Sequence, residues 1–159
     1  IRFHESTVRE MGRIATGVRG MTLDGPDDEV IGMICIKDPE KETVMVVSEQ
    51  GYGKRSEIED YRITNRGGKG VKTLNITEKT GKLVAIKSVT DENDLVIINK
   101  SGITLRLKVS DVRVMGRATQ GVRLINLEKR NDEIASVCKV LSESVDEDMQ
   151  DENVTEVGE

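Results

Sequence analysis

An internal repeat limits the folds that are open to this chain. Residues 1–23 and 105–127 align without a gap at a constant offset of 104, and 11 of the 23 aligned residues are identical. Residues 54–76 fall into the same frame, and we call these three stretches the first, second and third basic segments. Their Gly-Val-Arg or Gly-Val-Lys tripeptide recurs after 53 and then 51 residues. A period of this length is typical of the blades of β-propellers.

Each repeat is predicted to contain four short strands. In the first repeat they are GVRGMTL, EVIGMICI, TVMVVS and YGKRSEI, and in the second GVKTLNIT, KLVAIKSV, DLVIINK and ITLRLKV. Continuous apolar runs at 44–47 and 95–98 indicate strands that are covered on both faces. Gly51 and Gly102 fall at the same place in the repeat, where a tight hairpin can use a residue that tolerates positive φ. The pattern predicts an all-β fold of propeller-like blades, each a four-stranded antiparallel sheet.

The repeat also predicts how the chain is divided. We expect residues 1–140 to form part of one domain: the end of a blade with its connector at 1–16, blades at 17–69 and 70–120, and half a blade at 121–140. Residues 141–159 hold eight acidic residues and no Lys or Arg, which predicts a disordered acidic tail. Such a tail either keeps the protein soluble or competes with nucleic acid for a basic face.

Composition narrows the function classes. Trp is absent and Phe3, Tyr52 and Tyr61 are the only aromatic residues, so the core is expected to be aliphatic. No apolar run approaches the roughly 18 residues of a membrane-spanning helix. Two cysteines and one histidine do not make a zinc site. We expect Cys35 and Cys138 to be buried and reduced, as in a cytoplasmic protein.

The basic residues are concentrated in the three basic segments. The net charge is −5, but the segments together hold 15 Lys or Arg against 6 Asp or Glu. Arginines recur before the tripeptide, and a cation recurs within it: Arg13, Arg66 and Arg117, then Arg19, Lys72 and Arg123. A radial array of blades would place them on one continuous basic rim. The alternative is a solvated polar face, which the segregation of charge by repeat position disfavours.

A basic rim with few aromatic residues favours contact with phosphates over readout of bases. Stacking on single strands normally uses aromatic platforms, so duplex is the better ligand. In TNRGGKGVK, residues 64–72, the glycines would let backbone N–H groups approach phosphate oxygens while Arg66 and Lys69 neutralise them. A tight turn would also explain the glycines. A Walker-type ATP loop is excluded because Lys69 is followed by glycine rather than Ser or Thr.

These considerations give the residues that we expect to contact DNA. They are cations and glycines of the basic segments: Arg9, Arg13, Arg19, Arg55, Arg62, Arg66, Gly67, Gly68, Lys69, Gly70, Lys72, Arg106, Arg113, Arg117 and Arg123. We predict no catalytic and no metal-binding residue, and we interpret Tyr52 and Tyr61 as structural.

Several of these motifs resemble one family. The Met-Gly-Arg…Gly-Val-Arg connectors, GYGKR at 51–55, GRATQGVRL at 116–124 and the acidic end resemble the C-terminal domain of the gyrase A protein, which is part of DNA gyrase, a bacterial type IIA topoisomerase. The resemblance implies a β-pinwheel, a disc of propeller-like blades whose basic perimeter wraps and bends duplex DNA. Gyrase uses the wrap, with ATP hydrolysis by its B protein, to introduce negative supercoils.

The resemblance also implies the partners and the setting. They are double-stranded DNA, the gyrase B protein and the N-terminal part of the gyrase A protein in an A2B2 heterotetramer, in the bacterial cytoplasm on the chromosome and away from membranes. The catalytic tyrosine of the family lies in that N-terminal part, and Mg²⁺ and ATP are used elsewhere in the enzyme. We therefore expect no cofactor in this segment.

One motif departs from the family pattern. The wrapping motif of the family reads Gln-Arg-Arg-Gly-Gly-Lys-Gly and sits in the first blade, whereas residues 64–70 match five of its seven positions. The order of the surrounding segments places these residues in a late blade, as a related connector of lesser importance.

Three other functions fit the sequence less well. The corresponding domain of topoisomerase IV, in its C protein, has a similar pinwheel in an enzyme that decatenates DNA, but its repeats tend to be more degenerate. A propeller that acts as a protein-interaction scaffold would need an apolar or aromatic patch. An enzyme with its site in a propeller channel would need convergent histidines or carboxylates, and the chain has one histidine.

Overall fold

The computed structural model describes residues 1–127 and 131–142, and within them the chain is all-β. It contains seven strands and three 3₁₀ turns, and no α-helix occurs in this described part of the chain. The strands are β1 Thr43–Ser48, β2 Tyr52–Glu57, β3 Leu83–Val89, β4 Asn93–Asn99, β5 Thr104–Lys108, β6 Val122–Arg123 and β7 Ile134–Leu141. The 3₁₀ turns are Glu5–Thr7, Ile58–Asp60 and Val109–Asp111.

The strands form two antiparallel sheets, of four and three strands, that share one pairing pattern. Their orders are β3-β1-β2-β6 and β5-β4-β7. Thr43 of β1 lies opposite Glu57 and Val89, and Asp94 of β4 lies opposite Lys108 and Val140. Each residue of the second set lies 51 positions after its counterpart, and both sheets carry an irregularity at the equivalent place, after Val47 and after Ile98. The repeat in the sequence is therefore a repeat in hydrogen-bond register, and the predicted antiparallel blades are confirmed.

The grouping of strands into blades differs from the prediction that four consecutive strands form one sheet. The β1–β2 hairpin pairs with β3 of the next repeat on one edge and with β6 of the repeat after that on the other. Sequence propensity predicts that a stretch is extended, but the packing of distant segments decides which edge it joins. The strand grouping was wrong, and the blade boundaries at 16/17, 69/70 and 120/121 remain predictions.

Some predicted strands do not form. No strand is assigned in residues 1–42, all of which the structure describes, although strands were expected at 17–23 and 29–36. None is assigned at 71–78 either. A strand requires a ladder of hydrogen bonds to a neighbour, and these segments have no such ladder within the described residues.

The end of the last sheet lies slightly beyond the boundary expected for the acidic tail. Strand β7 includes Leu141, which lies opposite Asn93. The backbone N–H of Ser142 donates to the carbonyl of Glu92 at 2.9 Å, and its hydroxyl donates to Asp94 at 2.5 Å. Residues 141 and 142 therefore belong to the sheet edge, and the remainder of the predicted tail, 143–159, lies outside the described residues.

Strand β1 contributes side chains to both hydrophobic clusters. All six of its residues are buried, which confirms that the strand is covered on both faces. Met45 and Val47 point into a cluster with residues of β3, β4 and β7, whereas Val44 and Val46 point into a second cluster with residues such as Ile58. Alternate side chains of one strand thus join two packed layers. Full burial of such aliphatic side chains contributes about 1.5–3 kcal/mol each.

The two cysteines are exposed, contrary to the prediction. On β7, Cys138 follows the buried Val137 and points to the opposite, outer face. Cys35 likewise lies between Ile34 and Ile36, whose side chains pack on the second core cluster. An apolar run predicted burial of every member, but only one face of each of these segments is covered.

Glycines allow the hairpins and one very close contact between segments. Gly51 and Gly102 have φ of 79° and 86°, as predicted for hairpin turns. Gly121, with φ of 81°, lies directly on β2, and a Cβ built on it would be 2.7 Å from the carbonyl oxygen of Gly53. The approach of β6 to β2 therefore requires that residue 121 has no side chain.

We predict that Gly121→Ala destabilises the fold by about 1–3 kcal/mol, because the new methyl group meets backbone and the left-handed φ is strained. Chemical denaturation followed by circular dichroism measures the change. Gly116→Ala is the control, since nothing lies within 4 Å of its built Cβ and its φ is not positive; it should stay within about 0.5 kcal/mol of wild type. Equal effects of the two substitutions would contradict the close contact.

Candidate nucleic-acid interface

The three basic segments share one local structure. Each contains a 3₁₀ turn at the same place in the repeat, Glu5–Thr7, Ile58–Asp60 and Val109–Asp111. After the turn, the second segment bridges in parallel from Ile63 to Arg2, and the third from Val114 to Arg55. Each of these two segments therefore docks on the start of the segment before it.

Arg55 and its equivalent Arg2 stabilise this contact between successive segments. The Arg55 side chain is 8% exposed; its Nε donates to the carbonyl of Val112 at 2.8 Å and its Nη1 pairs with Asp91 at 2.5 Å. The Nη1 of Arg2 donates to the carbonyls of Ile58 at 2.9 Å and Tyr61 at 3.1 Å. Arg55 was predicted to contact DNA, but it is buried and engaged by the protein, so we remove it from the interface.

Lys54 is a buried cation that the sequence pattern did not single out. Its side chain is fully buried, and its ammonium donates to the carbonyl of Gly116 at 2.7 Å and to that of Arg117. Burial lowers the pKa of Lys54 to about 8 from its ordinary 10.5, against the opposing effect of Asp60, and nearby Arg117 lowers it further. Lys54 fixes the backbone from which Arg117 projects, and nothing in its sequence position distinguishes it from an exposed strand lysine.

Two recurring arginines reach back to the preceding basic segment. Arg66 donates from Nη1 to the carbonyl of Arg19 at 2.5 Å and from Nε to that of Thr7 at 3.3 Å. Arg117 makes the equivalent contacts, donating to the carbonyls of Lys72 and, at 3.2 Å, of Asp60. The predicted rim arginines thus also join successive segments.

Six of the predicted cations are exposed and make no side-chain hydrogen bond or ion pair within residues 1–127 and 131–142. They are Arg9, Arg13, Arg19, Arg62, Lys72 and Arg113. Three of them, Arg9, Arg62 and Arg113, occupy equivalent positions of the three basic segments. These six side chains are available to an external anion.

The other predicted cations are already paired at the surface. Arg123 donates to the Tyr52 hydroxyl at 2.9 and 3.2 Å and lies 5.5 Å from the centre of that ring. Lys69 lies 3.8 Å from Asp24, and both side chains are largely exposed. Arg106 pairs with Asp94 at 2.8 Å, and hydrogen bonds from Ser142 and from Arg106 hold the pKa of Asp94 below its ordinary value. Water screens the Lys69 pair, so it competes little with a phosphate.

The glycine-rich loop at 66–70 corrects one detail of the prediction. The N–H of Gly67 donates to the carbonyl of Gly20 at 2.8 Å, so it is not available to a phosphate. The carbonyls of Gly67 and Gly68 accept from the side chain and backbone of Thr22, at 2.6 and 3.0 Å. The loop is therefore joined to the first basic segment along one side, and the φ values of Gly67 and Gly70, 85° and 82°, show that the tight turn is real as well.

The other side of this loop offers backbone donors. In the described part of the chain, the N–H groups of Gly68, Lys69 and Gly70 donate no hydrogen bond. At the positions equivalent to Gly68, the N–H of Ala15 donates to Gly12 at 3.0 Å and that of Thr119 to Gly116 at 3.3 Å. Residues 62 and 64–70 line an open depression of about 480 Å³. Three consecutive free N–H groups beside Arg66 and Lys69 are suited to an anion.

Clusters of metal-ligating side chains and long apolar helices are both absent from the described residues. No group of three or more histidine, cysteine or acidic side chains there could hold a metal ion. Among the same residues, no helix is long and apolar enough to cross a membrane. Tyr52 and Tyr61 are both buried, in keeping with a structural role.

Comparison with known proteins identifies the family. A family model described as "DNA gyrase C-terminal domain, beta-propeller" matches residues 1–37, 42–90 and 93–138. The chain belongs to this family. The gyrase A protein of Staphylococcus aureus (strain MRSA252) is 48% identical over 155 residues, which is 98% of this chain and 17% of the relative. The chain thus spans about a sixth of the length of the curated relatives that it matches.

Solved structures agree with this assignment. "Structure of DNA gyrase A C-terminal domain" superposes with a TM-score of 0.75 at 27% identity, over 87% of this chain and 46% of that one. "Crystal structure of the C-terminal domain of DNA topoisomerase IV" superposes with a TM-score of 0.80 at 24% identity, over 87% and 42%. The second likeness shows the shared fold alone. The predicted resemblance to the gyrase domain and its propeller-like fold are confirmed.

The buried Lys54 gives a testable pH dependence. We predict that Lys54→Met costs about 1–3 kcal/mol at pH 7, because the carbonyls of Gly116 and Arg117 lose their donor. Since the pKa of Lys54 is about 8 when folded and 10.5 ordinarily, the unfolded chain binds more protons between these values. The free energy of unfolding of wild type relative to the variant should therefore rise between about pH 8 and 10.5.

Chemical denaturation at a series of pH values measures this difference. Lys41→Met is the control, because the Lys41 side chain is 79% exposed and, among the described residues, pairs only with the nearby Asp38, at 3.5 Å. It should change the free energy of unfolding little and leave its pH dependence unaltered. A pH profile of Lys54→Met that runs parallel to wild type would contradict a lowered pKa.

Proposed function

We propose that this chain binds duplex DNA through its three basic segments, without reading base sequence, and helps to wrap it. The observation that carries the proposal is the recurrence of exposed cations in one repeated backbone frame: Arg9, Arg62 and Arg113 occupy equivalent positions, and none of their side chains makes a hydrogen bond or ion pair within the described residues. The family assignment points to the same activity. Repeated cations in a repeated frame suit a repeated anion, and the phosphate backbone of duplex DNA is such a ligand.

The loop at 66–70 supplies the best-defined phosphate contact of the proposal. The free N–H groups of Gly68, Lys69 and Gly70 would donate to phosphate oxygens, and the Lys69 ammonium would add charge. Backbone donors recognise an anion without recognising a base, so this contact supports binding that is indifferent to sequence. This loop therefore merits a larger role than the lesser one that its late position in the repeat order predicted.

Wrapping follows from contacts on more than one repeat. A duplex that touches the cations of successive blades must curve, and smooth bending through 40–90° costs about 1–6 kcal/mol. Several phosphate contacts are needed to offset that cost. A duplex too short to reach more than one basic segment gains no such benefit, and length dependence is the expected signature of wrapping.

The role in a larger enzyme belongs to the same proposal. The curated relatives are gyrase A proteins, and this chain matches 17% of their length. We propose that the chain is the non-catalytic DNA-wrapping region of a gyrase that acts in the cytoplasm, with the N-terminal part of the gyrase A protein and the gyrase B protein as partners in an A2B2 assembly. ATP and Mg²⁺ would act in those other parts during negative supercoiling. The 24% identity to the topoisomerase IV domain gives the alternative, decatenation, less support.

The first test is the salt dependence of binding. We predict that log K for duplex falls linearly with log salt, and that Arg62→Ala or Arg113→Ala each lowers the slope by about one unit and weakens all sequences alike. Fluorescence anisotropy with two duplexes of unrelated sequence measures both effects. Lys41→Ala, which removes an exposed cation outside the basic segments, should leave the slope unchanged.

The second test separates wrapping from simple contact. A duplex of about 150 bp, one persistence length, should bind more tightly per site than one of about 15 bp, and Arg62→Ala should weaken the long duplex more. A variant that changed sequence preference at a constant salt slope would contradict phosphate contact. Equal effects on both lengths would leave binding intact but contradict wrapping.

A further inference from the structure

Arg66 and Arg117 each make a pair of contacts with the preceding segment that we call a clasp, and each clasp joins two features that recur in the repeat. Thr7 and Asp60 each end a 3₁₀ turn, at Glu5–Thr7 and Ile58–Asp60. Arg19 and Lys72 are the exposed cations of the Gly-Val-Arg and Gly-Val-Lys tripeptides. Each clasping guanidinium bonds the carbonyls of both features in the segment before its own, at separations of 45–59 residues along the chain.

We propose that Arg66 and Arg117 are positioning residues: each fixes the tripeptide cation of the preceding segment, so that one phosphate site at each junction is built from two basic segments. Arg66 would hold Arg19 in place, and Arg117 would hold Lys72. The inference rests on the proposed binding of DNA and adds to it which residues act in pairs. Contact with phosphate then depends on the junctions between repeats as well as on the number of cations.

The geometry of the guanidinium explains why an arginine is required here. Its planar group carries donors on three nitrogens in fixed directions, so Nε and Nη1 can bond two carbonyls while Nη2 remains. The Nη2 atoms of Arg66 and Arg117 make no hydrogen bond within the described chain and are available to a phosphate. A lysine ammonium keeps the charge but cannot reproduce this fork.

Electrostatics favour an anion at the same place. The clasp brings the guanidinium of Arg117 to the backbone of Lys72, whose side chain is exposed and unpaired among the described residues. An anion bound beside the Lys72 carbonyl would be attracted by both side chains. The carbonyl contact holds the guanidinium at the backbone of Lys72.

Lys54 anchors the Arg117 clasp at its base. It donates to the carbonyls of Gly116 and Arg117, so the backbone from which the guanidinium projects is tied to β2. The third basic segment is therefore bonded to the second at two places. Lys54 bonds it to β2, the strand in which the second segment begins, and Arg117 bonds it to the tripeptide near the end of the second segment. A side chain held at both its base and its tip is suited to position its neighbour.

The test replaces a clasping arginine without removing its charge. We expect Arg117→Lys in the full chain to weaken binding to a long duplex about as much as Lys72→Ala does, and to lower the slope of log K against log salt by about one unit although no charge is lost. Lys72→Ala should add little in the Arg117→Lys background. A purely structural role would alter the melting temperature but would not produce this change of slope.

Lys41→Arg is the control, because it also exchanges one cation for another. Lys41 lies outside the three basic segments, and its side chain is 79% exposed. The control should bind and respond to salt like wild type. Hydrogen exchange gives an independent readout: the amides of residues 71–76 should exchange faster in Arg117→Lys than in Lys41→Arg.

The outcomes separate this inference from the proposed function. If wild type shows no salt-dependent binding to duplex, the proposed function fails. If wild type binds but Arg117→Lys behaves like Lys41→Arg, or if Lys72→Ala and Arg117→Lys act additively, the positioning role is overturned and the DNA-binding proposal stands. Should Arg117→Lys fail to fold, Arg66→Lys with Arg19→Ala repeats the experiment at the other junction.

Discussion

The structure depends on the fact that no repeat completes its own sheet. The β1–β2 hairpin takes β3 from the next repeat and β6 from the one after. The chain must therefore cross between sheets, and the crossing segments bring backbone carbonyls that no ladder satisfies. Buried carbonyls need donors, and Lys54, Arg55 and Arg2 supply them from the strand or segment below. A sheet built from strands of different repeats therefore requires buried cations that donate to the carbonyls of the crossing segments.

This constraint divides the cations of each basic segment by their task. The cation at the start of the segment, Arg2 or Arg55, holds the next segment, whereas Arg9, Arg62 and Arg113 face solvent. Arg66 and Arg117 stand between these extremes, since they bond carbonyls while their side chains remain at the surface. The net charge of a basic segment therefore overstates what it can offer to a phosphate, because part of that charge holds successive segments together.

Local features of the fold were predictable from the sequence, whereas the partners of residues that are distant in sequence were not. The apolar run of β1 predicted burial on both faces, and Gly51 predicted a turn with positive φ, because each depends on neighbours in sequence. The pairing of Tyr52 with Arg123 spans 71 residues and has no local signal. Arg55 and Arg62 are both arginines of the second basic segment, yet one is buried against Val112 and the other is exposed. Whether such an arginine is buried depends on the pairing of strands from distant repeats, and the pattern of charge along the sequence does not show that pairing.

The repeats share one backbone frame but differ in the hydrogen-bonding groups that they leave free. In the second basic segment, Gly68, Lys69 and Gly70 leave their N–H groups free, whereas in the third the N–H of Thr119 donates to Gly116 and the side chain of Gln120 bonds Thr77 at 3.0 Å. The same fold thus closes one loop on itself and leaves the other open to an anion. Since both loops are held by an equivalent arginine, the difference arises from the residues between Arg and Gly: Gly-Gly-Lys in one, Ala-Thr-Gln in the other. A duplex that followed the rim would be bound most tightly at the junction of the first and second segments, where backbone donors and cations lie together. It would be bound less tightly at the next junction. The curvature of such a duplex would therefore differ from one junction to the next.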